Sequence, residues 1–232
     1  MKKLCLVVAL ASAITMFGQS KFGNRPGGQF SLGVRTTTSL FSDESGVGTG
    51  FGGQFRIRFF HLLNSEWFAD YITSDLGNGL GNRTDYHIGW SVMFYPSFCY
   101  QNNARLKLQP YLLAGHCFDW TRFESNLFTE NNIGKRFSGA VQAGIGFHLP
   151  VHDRVDLSVS GQYMMHLGKE LYWQERVNGA GVHYLYIDEN SGEGNLEGHL
   201  LVTVSLNFRI ADLWKNKIKG VQDKAPVLEE QQ

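Results

Sequence analysis

The side chains best suited to catalysis are histidines, serines and acids in the C-terminal half of the chain. A serine hydrolase needs a nucleophile, a histidine base and an orienting acid within hydrogen-bond reach of one another. The candidates for such a group are His166, His183, His199, Ser160, Ser191, Asp188 and Glu170. No short motif joins these residues, so we predict no catalytic, cofactor-binding or metal-binding residues and keep an acyl-transfer site only as an alternative.

Other binding signatures are incomplete. The run from Asp188 to Glu193 resembles a calcium loop, but Glu193 stands where an EF-hand needs glycine. The glycine-rich run 46–53 has no following lysine, so it does not predict a phosphate site. Cys99 and Cys117 lie toward opposite ends of neighbouring predicted strands and should not form a disulfide.

Charged side chains recur at alternate positions of apolar segments. Successive side chains of a strand point to opposite faces, so these charges share the polar face of a sheet. The predicted inward charges are Arg35, Arg56, Arg58, Glu66, Asp70, Asp85, Lys107, Asp156 and Arg209. Because buried charges are tolerated when paired, we predict a lumenal charge network that fills a narrow barrel.

The strands that position these charges are clearest from Phe137 to Met165, two alternating segments separated by a polar break at 150–154. Their polar face is rich in Gly, Ser and Gln, which suits a crowded interior. Six further segments between Gln29 and Ile210 repeat the alternation, one of them despite Pro110. The sequence therefore predicts an all-β fold, an eight-stranded antiparallel up-and-down transmembrane β-barrel, with an extra hairpin over 171–188.

Two features favour a lipid-facing exterior. Predicted connections alternate between short (61–65, 99–105, 150–154) and long (42–50, 76–83, 122–135, 167–197), as in outer-membrane barrels. Aromatic residues collect near both ends of the apolar faces. The predicted belts are Phe30, Phe59, Trp67, Phe94, Phe147 and Phe208 near the short turns, and Phe41, Phe51, Tyr86, Phe118, Phe137 and Tyr163 near the long loops.

The ends of the chain predict export. Residues 1–18 have two lysines followed by a short apolar run, which is typical of a signal peptide cleaved after Ala13 or Gly18. Residues 19–28 are a lead-in, 29–210 the barrel and 211–232 a charged periplasmic tail. The net charge is zero, so no nucleic-acid partner is expected.

The final strand, LLVTVSLNF at Leu200–Phe208, and the segment PYLLAG at Pro110–Gly115 carry a family resemblance. Together with the strand pattern, they make the chain resemble small eight-stranded outer-membrane barrels of the OmpA/OmpX type, including the outer membrane protein β-barrel families of Bacteroidota. The resemblance implies residence in the bacterial outer membrane, contact with lipid and lipopolysaccharide, and recognition of Leu200–Phe208 by the barrel-insertion machinery. We hypothesise a structural, surface-interaction or assembly role with a lumen plugged by the inward charges, no open pore and no cofactor, and a protein partner at loops 122–135 and 167–197.

Two alternatives stay open at this stage. Some barrels of this kind modify lipid A through a histidine and serine site near the outer leaflet. A secreted lipocalin-like binder also has eight strands, but it is apolar inside and polar outside. Alternation alone does not say which face of a strand points inward.

Overall fold

The computed structural model describes residues 27–41, 46–60, 62–96, 108–127, 132–168, 171–188 and 198–214. Several predictions lie outside these ranges. They concern the signal peptide, Cys99, Lys107, Glu170, Ser191, most of the calcium-like run and the tail beyond Trp214.

The described residues form ten strands. Eight of them build the barrel: β1 (Gln29–Phe41), β2 (Val47–Phe60), β3 (Leu63–Leu76), β4 (Gly81–Phe94), β5 (Gln109–Ser125), β6 (Ile133–His152), β7 (Val155–His166) and β10 (Gly198–Asp212). The other two, β8 (Tyr172–Val177) and β9 (His183–Asp188), pair only with each other as a two-stranded ribbon.

The barrel is closed, with the strand order β1-β10-β7-β6-β5-β4-β3-β2. Each strand pairs antiparallel with its neighbours, and the first strand pairs with the last, for example Val34 with Leu206. Closure leaves no free sheet edge, so the ladder satisfies the backbone polar groups along the whole circumference. The predicted eight-stranded antiparallel up-and-down fold is confirmed. The described residues contain no helix long and apolar enough to span a membrane.

Side-chain alternation sorts each strand into a polar inner face and an apolar outer face. On β10, Thr203 and Ser205 are buried in the lumen while Val202 and Val204 are exposed outside. Pro110 lies on the outer side of β5, in register with Phe147 of β6, and the strand continues through it. The barrel is polar inside and apolar outside, which is the reverse of the arrangement in a lipocalin, so the lipocalin-like alternative is wrong.

The connections differ from the predicted lengths. The segment expected as a loop over 76–83 is a tight turn of four residues, 77–80, between β3 and β4. Three successive positive φ angles, at Gly77, Asn78 and Gly79, make this turn, and the Gly79 N–H donates to Asp75. Residues 95–108, between β4 and β5, are the longer connection, so the expected alternation of short and long loops was wrong.

The ribbon lies against the barrel end that is opposite the barrel's first and last residues. Leu185 and Ile187 of β9 pack with Leu76 and Phe123, which end their strands at that mouth. Leu171 completes this buried cluster, and Leu80 and Trp173 pack against it. An apolar contact therefore holds the ribbon over the barrel mouth.

Candidate functional site: the polar lumen

The lumen contains most of the charges predicted to face inward. Arg35, Arg56, Arg58, Glu66, Asp70 and Asp85 are buried there, while Asp156 and Arg209 are half-buried near the end that holds the barrel's first and last residues. Within the described residues, buried polar and charged side chains outnumber buried hydrophobic ones. The interior is therefore a polar core, and the placement of each charge decides what it contacts.

Arg35 on β1 reaches past the neighbouring strand β2 to two acids of β3. Its Nη1 donates to Glu66 Oε1 at 3.3 Å, and its Nε lies 3.1 Å from Asp70 Oδ1. The guanidinium also lies 4.4 Å from the centre of the Phe68 ring and donates to Thr203. Glycine makes room for this group, because a Cβ on Gly52 would lie 2.1 Å from Asp70 Oδ1.

Arg56 on β2 forms a second network toward the same end as Asp156. Its Nη2 donates to Asp156 Oδ1 at 2.5 Å, and its Nη1 lies 3.0 Å from His148 Nδ1. Strands β2 and β6, which carry Arg56 and His148, are four strands apart in either direction around the barrel. This contact joins opposite walls of the barrel directly.

At the end of the lumen that holds the barrel's first and last residues, several polar groups surround Tyr95, which follows β4. Its hydroxyl accepts from Asn64 Nδ2 at 3.0 Å and lies 3.0 Å from His148 Nε2. The Arg58 guanidinium sits 4.8 Å from the centre of its ring. A cavity of about 30 Å³ remains beside these groups, also lined by Arg154 and Arg209. That volume is of the order of one water molecule.

A cluster of histidines and aspartates fills the lumen nearer the ribbon. His87 Nε2 lies 3.2 Å from Asp119 Oδ1, and His166 Nδ1 lies 3.2 Å from Asp119 Oδ2. His166 Nε2 lies 3.3 Å from His199 Nδ1. His87 on β4 stacks on His199 of β10, the opposite wall, with ring centres 5.6 Å apart. This is a second direct contact across the full barrel width.

Three further side chains hold the two aspartates of this cluster in place. Arg83 Nε donates to Asp85 Oδ2 at 2.8 Å, and Arg136 Nη2 donates to Asp119 Oδ2 at 3.2 Å. The Thr121 hydroxyl lies 2.7 Å from Asp85 Oδ1 and 2.9 Å from Asp119 Oδ2. All of these groups are fully or almost fully buried.

The residues considered for acyl transfer do not assemble into a triad. The Ser138 hydroxyl and Asp119 approach the same nitrogen of His166, Nδ1, whereas a relay needs the serine and the acid on different nitrogens. His183 contacts Glu175 on the exposed ribbon, and Ser160 lies on β7. The described residues therefore offer no hydrolase geometry.

An apolar layer crosses the same interior, and sequence reasoning missed it. Phe68, Ile72, Met164 and Leu201 are buried together with Phe41, Cys117 and Ala140. Cys117 Sγ lies 3.4 Å from Met164 Sδ. Phe41 was wrongly predicted as a belt residue. It has the same parity as Arg35, so it points inward, where Arg83 covers its ring at 3.8 Å.

The other predicted belt residues lie on the outer face, and six of them, Phe30, Trp67, Phe51, Tyr86, Phe118 and Phe137, contact further aromatic rings. One run near the end with the barrel's first and last residues links Phe30, Phe55, Trp67 and Trp90, with successive ring centres 5.9–6.1 Å apart. A second run near the ribbon links Phe51, Tyr71, Tyr86 and Trp120 at 5.1–6.4 Å. Phe118 stacks on Phe137 at 5.9 Å.

The histidine cluster was not found from the sequence. His87 and His199 each alternate with apolar neighbours along their strands, which favours an inward position, but nothing local relates residues on four different strands. The strand register supplies the missing relation, because His87 is paired with Asp119 and His199 with Met164.

No protein-family model matches this chain, and no curated protein matches it. Solved structures with similar folds include Neisserial surface protein A, at 16% identity over 78% of this chain and 97% of that chain, with a TM-score of 0.44. OprG from Pseudomonas aeruginosa is 13% identical over 81% and 98%, with a TM-score of 0.48. The attachment invasion locus protein Ail of Yersinia pestis is 12% identical over 80% and 100%, with a TM-score of 0.46.

Proposed function

We propose that this chain is an integral protein of the bacterial outer membrane whose lumen is closed by its own side chains. One observation supports this most strongly. From the second aromatic run to the end that holds the barrel's first and last residues, the outward positions of the described barrel strands, up to Ile210 on β10, hold no Asp, Glu, Lys or Arg. The outward charges of β3, β5 and β6, at Asp75, Arg122, Glu124 and Lys135, lie beyond the second run.

A lipid environment explains this distribution better than water does. Large apolar side chains on the outer face are widely exposed, including Phe137 at 71% and Ile145 at 60%. Exposed apolar patches of this extent are unusual on soluble monomers and mark surfaces that meet another apolar phase. A closed antiparallel barrel is also one of the two architectures that satisfy the backbone within a bilayer.

The one histidine on this outer band is consistent with the same environment. His116 Nε2 accepts a hydrogen bond from Trp90 Nε1 at 2.6 Å, across the β4–β5 pair. Each side chain thereby covers a polar atom of the other. An unsatisfied polar atom costs more in hydrocarbon than in water, so this pairing suits a lipid-facing position.

A closed lumen favours a structural or surface role over transport. The Arg56–His148 and His87–His199 contacts each join opposite walls, and charged networks fill the space around them. Buried ions are held when each has a partner, and removing one partner is costly. We therefore assign the barrel the role of a stable anchor for the parts that extend from it.

The ribbon is the best candidate for the contacting element. Its outer surface shows Tyr172 at 50% and Val177 at 55% exposure, while Leu185 fixes its other face to the barrel. Arg176 lies 3.5 Å from the centre of the Tyr186 ring and adds a cation beside this aromatic surface. Aromatic and arginine side chains on a fixed hairpin suit recognition of a protein partner outside the cell.

The assembly role of the final strand belongs to the same proposal. Leu200–Phe208 forms most of β10, the strand that closes the barrel against β1. A segment that completes closure is well placed to be read by the insertion machinery. The lipid A modifying activity gains no support from the described residues, because the serine and the acid beside His166, Ser138 and Asp119, approach the same ring nitrogen.

Fractionation of a Gram-negative host that expresses the chain tests the proposal. The protein should separate with outer membranes, and its gel mobility should change on boiling, as expected for a barrel that resists detergent until heated. Protease added to intact cells should cut within 167–197. Recovery as a soluble periplasmic protein would overturn the membrane assignment, and a ribbon protected in intact cells but cut after lysis would overturn its outward orientation.

A further inference from the structure

We infer that Asp85, His87 and Asp119 form a binding site for a divalent first-row transition ion, with zinc as the best match, inside the barrel. The three side chains come from two paired strands, β4 and β5, and their ligand atoms lie within 4.8 Å of one another. All three are completely buried. The inference depends on the geometry of the lumen and not on the role proposed for the ribbon.

Buried atoms without a hydrogen bond mark the position of the ion. His87 Nε2, His87 Nδ1 and Asp119 Oδ1 make no hydrogen bond among the described residues, although each is buried. His87 Nε2 and Asp119 Oδ1 lie 3.2 Å apart, close enough for an ion pair, but their relative orientation does not meet hydrogen-bond geometry. Native interiors rarely leave such atoms unsatisfied, and an ion that binds both is one of the few explanations.

The separation between His87 and Asp119 matches that between two ligands of a small metal ion. Zinc binds histidine nitrogen and carboxylate oxygen at about 2.0–2.2 Å, so neighbouring ligands of a tetrahedral site lie about 3.3 Å apart. The His87–Asp119 distance is 3.2 Å. One imidazole and two carboxylates are a donor set suited to zinc and its neighbours in the first row.

The surroundings are arranged as the second layer of a metal site. Arg83 and Thr121 orient Asp85, while Arg136 and Thr121 orient Asp119. Such outer partners fix ligand orientation and are a regular part of metal sites. The two guanidinium groups balance the two carboxylates, so a bound ion adds its own positive charge to the cluster.

Two additional histidines border the three ligands. His166 contacts Asp119 at 3.2 Å and His199 at 3.3 Å, and His199 stacks on His87. His199 Nε2 also makes no hydrogen bond among the described residues. Imidazoles from β7 and β10 therefore enclose the site on the side away from β4 and β5. Their ring nitrogens are of the kind that zinc binds, and they lie beside the three proposed ligands.

The experiment loads metal during folding, because the site is enclosed once the barrel forms. Protein carrying a tag without histidines is refolded from urea into detergent with zinc, passed over a desalting column and analysed for bound metal. Gel mobility before boiling gives the folded fraction. We expect about one zinc per folded chain. His87→Gln and Asp119→Asn should lose the ion, while His148→Gln, which removes a buried histidine at the other end of the lumen, should keep it.

X-ray absorption of the zinc-loaded unmodified protein tests the identity of the ligands even if the variants fail to fold. We expect nitrogen and oxygen neighbours at about 2.0–2.2 Å, with imidazole among them. Folded protein without zinc would overturn the inference and leave protons and water to fill the cluster. Sulfur at about 2.3 Å would place the ion on Cys117 instead, and equal zinc in wild type and His87→Gln would place it elsewhere.

Discussion

Arg56 and His148 touch across the whole width of the barrel. Arg56 Nη1 lies 3.0 Å from His148 Nδ1, although their strands, β2 and β6, stand on opposite walls. Asp156 accepts from the other end of the same guanidinium at 2.5 Å. The interior of this protein is thus held together by charge and hydrogen bonding, while its apolar surface faces outward.

Arg56→Ala should destabilise the barrel strongly, because it leaves Asp156 without its main partner. We expect a loss of about 3–5 kcal/mol in the free energy of unfolding, measured by urea titration in detergent or lipid. Arg122→Ala is the matched control, since Arg122 forms an exposed pair with Glu124 at 2.9 Å. That change should cost less than about 1 kcal/mol. Equal effects of the two substitutions would contradict a stabilising network in the lumen.

Ile145→Arg tests whether the outer face meets lipid. Ile145 is 60% exposed on the outer face of β6, between Phe137 and Phe147, so in water an arginine there would be tolerated. In a bilayer we expect it to cost about 2–4 kcal/mol and to reduce folding into vesicles. Val177→Arg, at a ribbon position with 55% exposure, should change stability by less than about 0.5 kcal/mol. A neutral Ile145→Arg variant in vesicles would contradict the lipid-facing assignment.

Gly52→Ala and Gly53→Ala form a matched pair on neighbouring positions of β2. A Cβ on the inward Gly52 would lie 2.1 Å from Asp70 Oδ1 and 2.2 Å from the Ala69 carbonyl oxygen. A Cβ on the outward Gly53 would meet nothing closer than 3.9 Å. We expect Gly52→Ala to cost about 1–3 kcal/mol and Gly53→Ala to be nearly neutral, as measured by denaturant titration. A larger loss for Gly53→Ala than for Gly52→Ala would show that Gly53, and not Gly52, faces the lumen.

Leu185→Ala should loosen the ribbon without opening the barrel. Leu185 is fully buried against Leu76 and Phe123, so truncation removes the apolar contact that fixes the ribbon. We expect faster protease cleavage within 171–188 while heat-dependent gel mobility persists. Val182→Ala, at a 43% exposed position, should leave the cleavage rate unchanged. Unchanged cleavage in Leu185→Ala would mean that the ribbon is held by other contacts.

The sequence predicted strand facing well because alternation is a local property. Arg35, Arg56 and Asp85 pointed inward on parity alone, and the structure places them there. The prediction that Phe41 belongs to an outer belt was wrong because its aromatic side chain was given more weight than its position, which is an even number of residues from the inward Arg35. The loop expected over 76–83 is a tight turn because Gly77, Asn78 and Gly79 adopt positive φ angles.

The interior contacts were beyond sequence reasoning for a physical reason. Which inward residues meet depends on register and on which walls of the barrel face each other. The His87–Asp119 pair follows from β4–β5 register, and the His87–His199 stack needs closure of the whole barrel. The apolar layer around Met164 and Cys117 also breaks the expectation of a uniformly polar lumen.

The most direct test of a membrane barrel with a closed lumen is the conductance of the purified protein in planar bilayers. Insertion is checked on the same preparation by heat-dependent gel mobility in vesicles. We predict no large, stable conductance for the unmodified protein, because Arg56 and His148 join opposite walls. The double variant Arg56→Ala/His148→Ala should remain closed as well, because the His87–His199 stack crosses the lumen at another level. Large and stable openings in the unmodified protein would contradict the account.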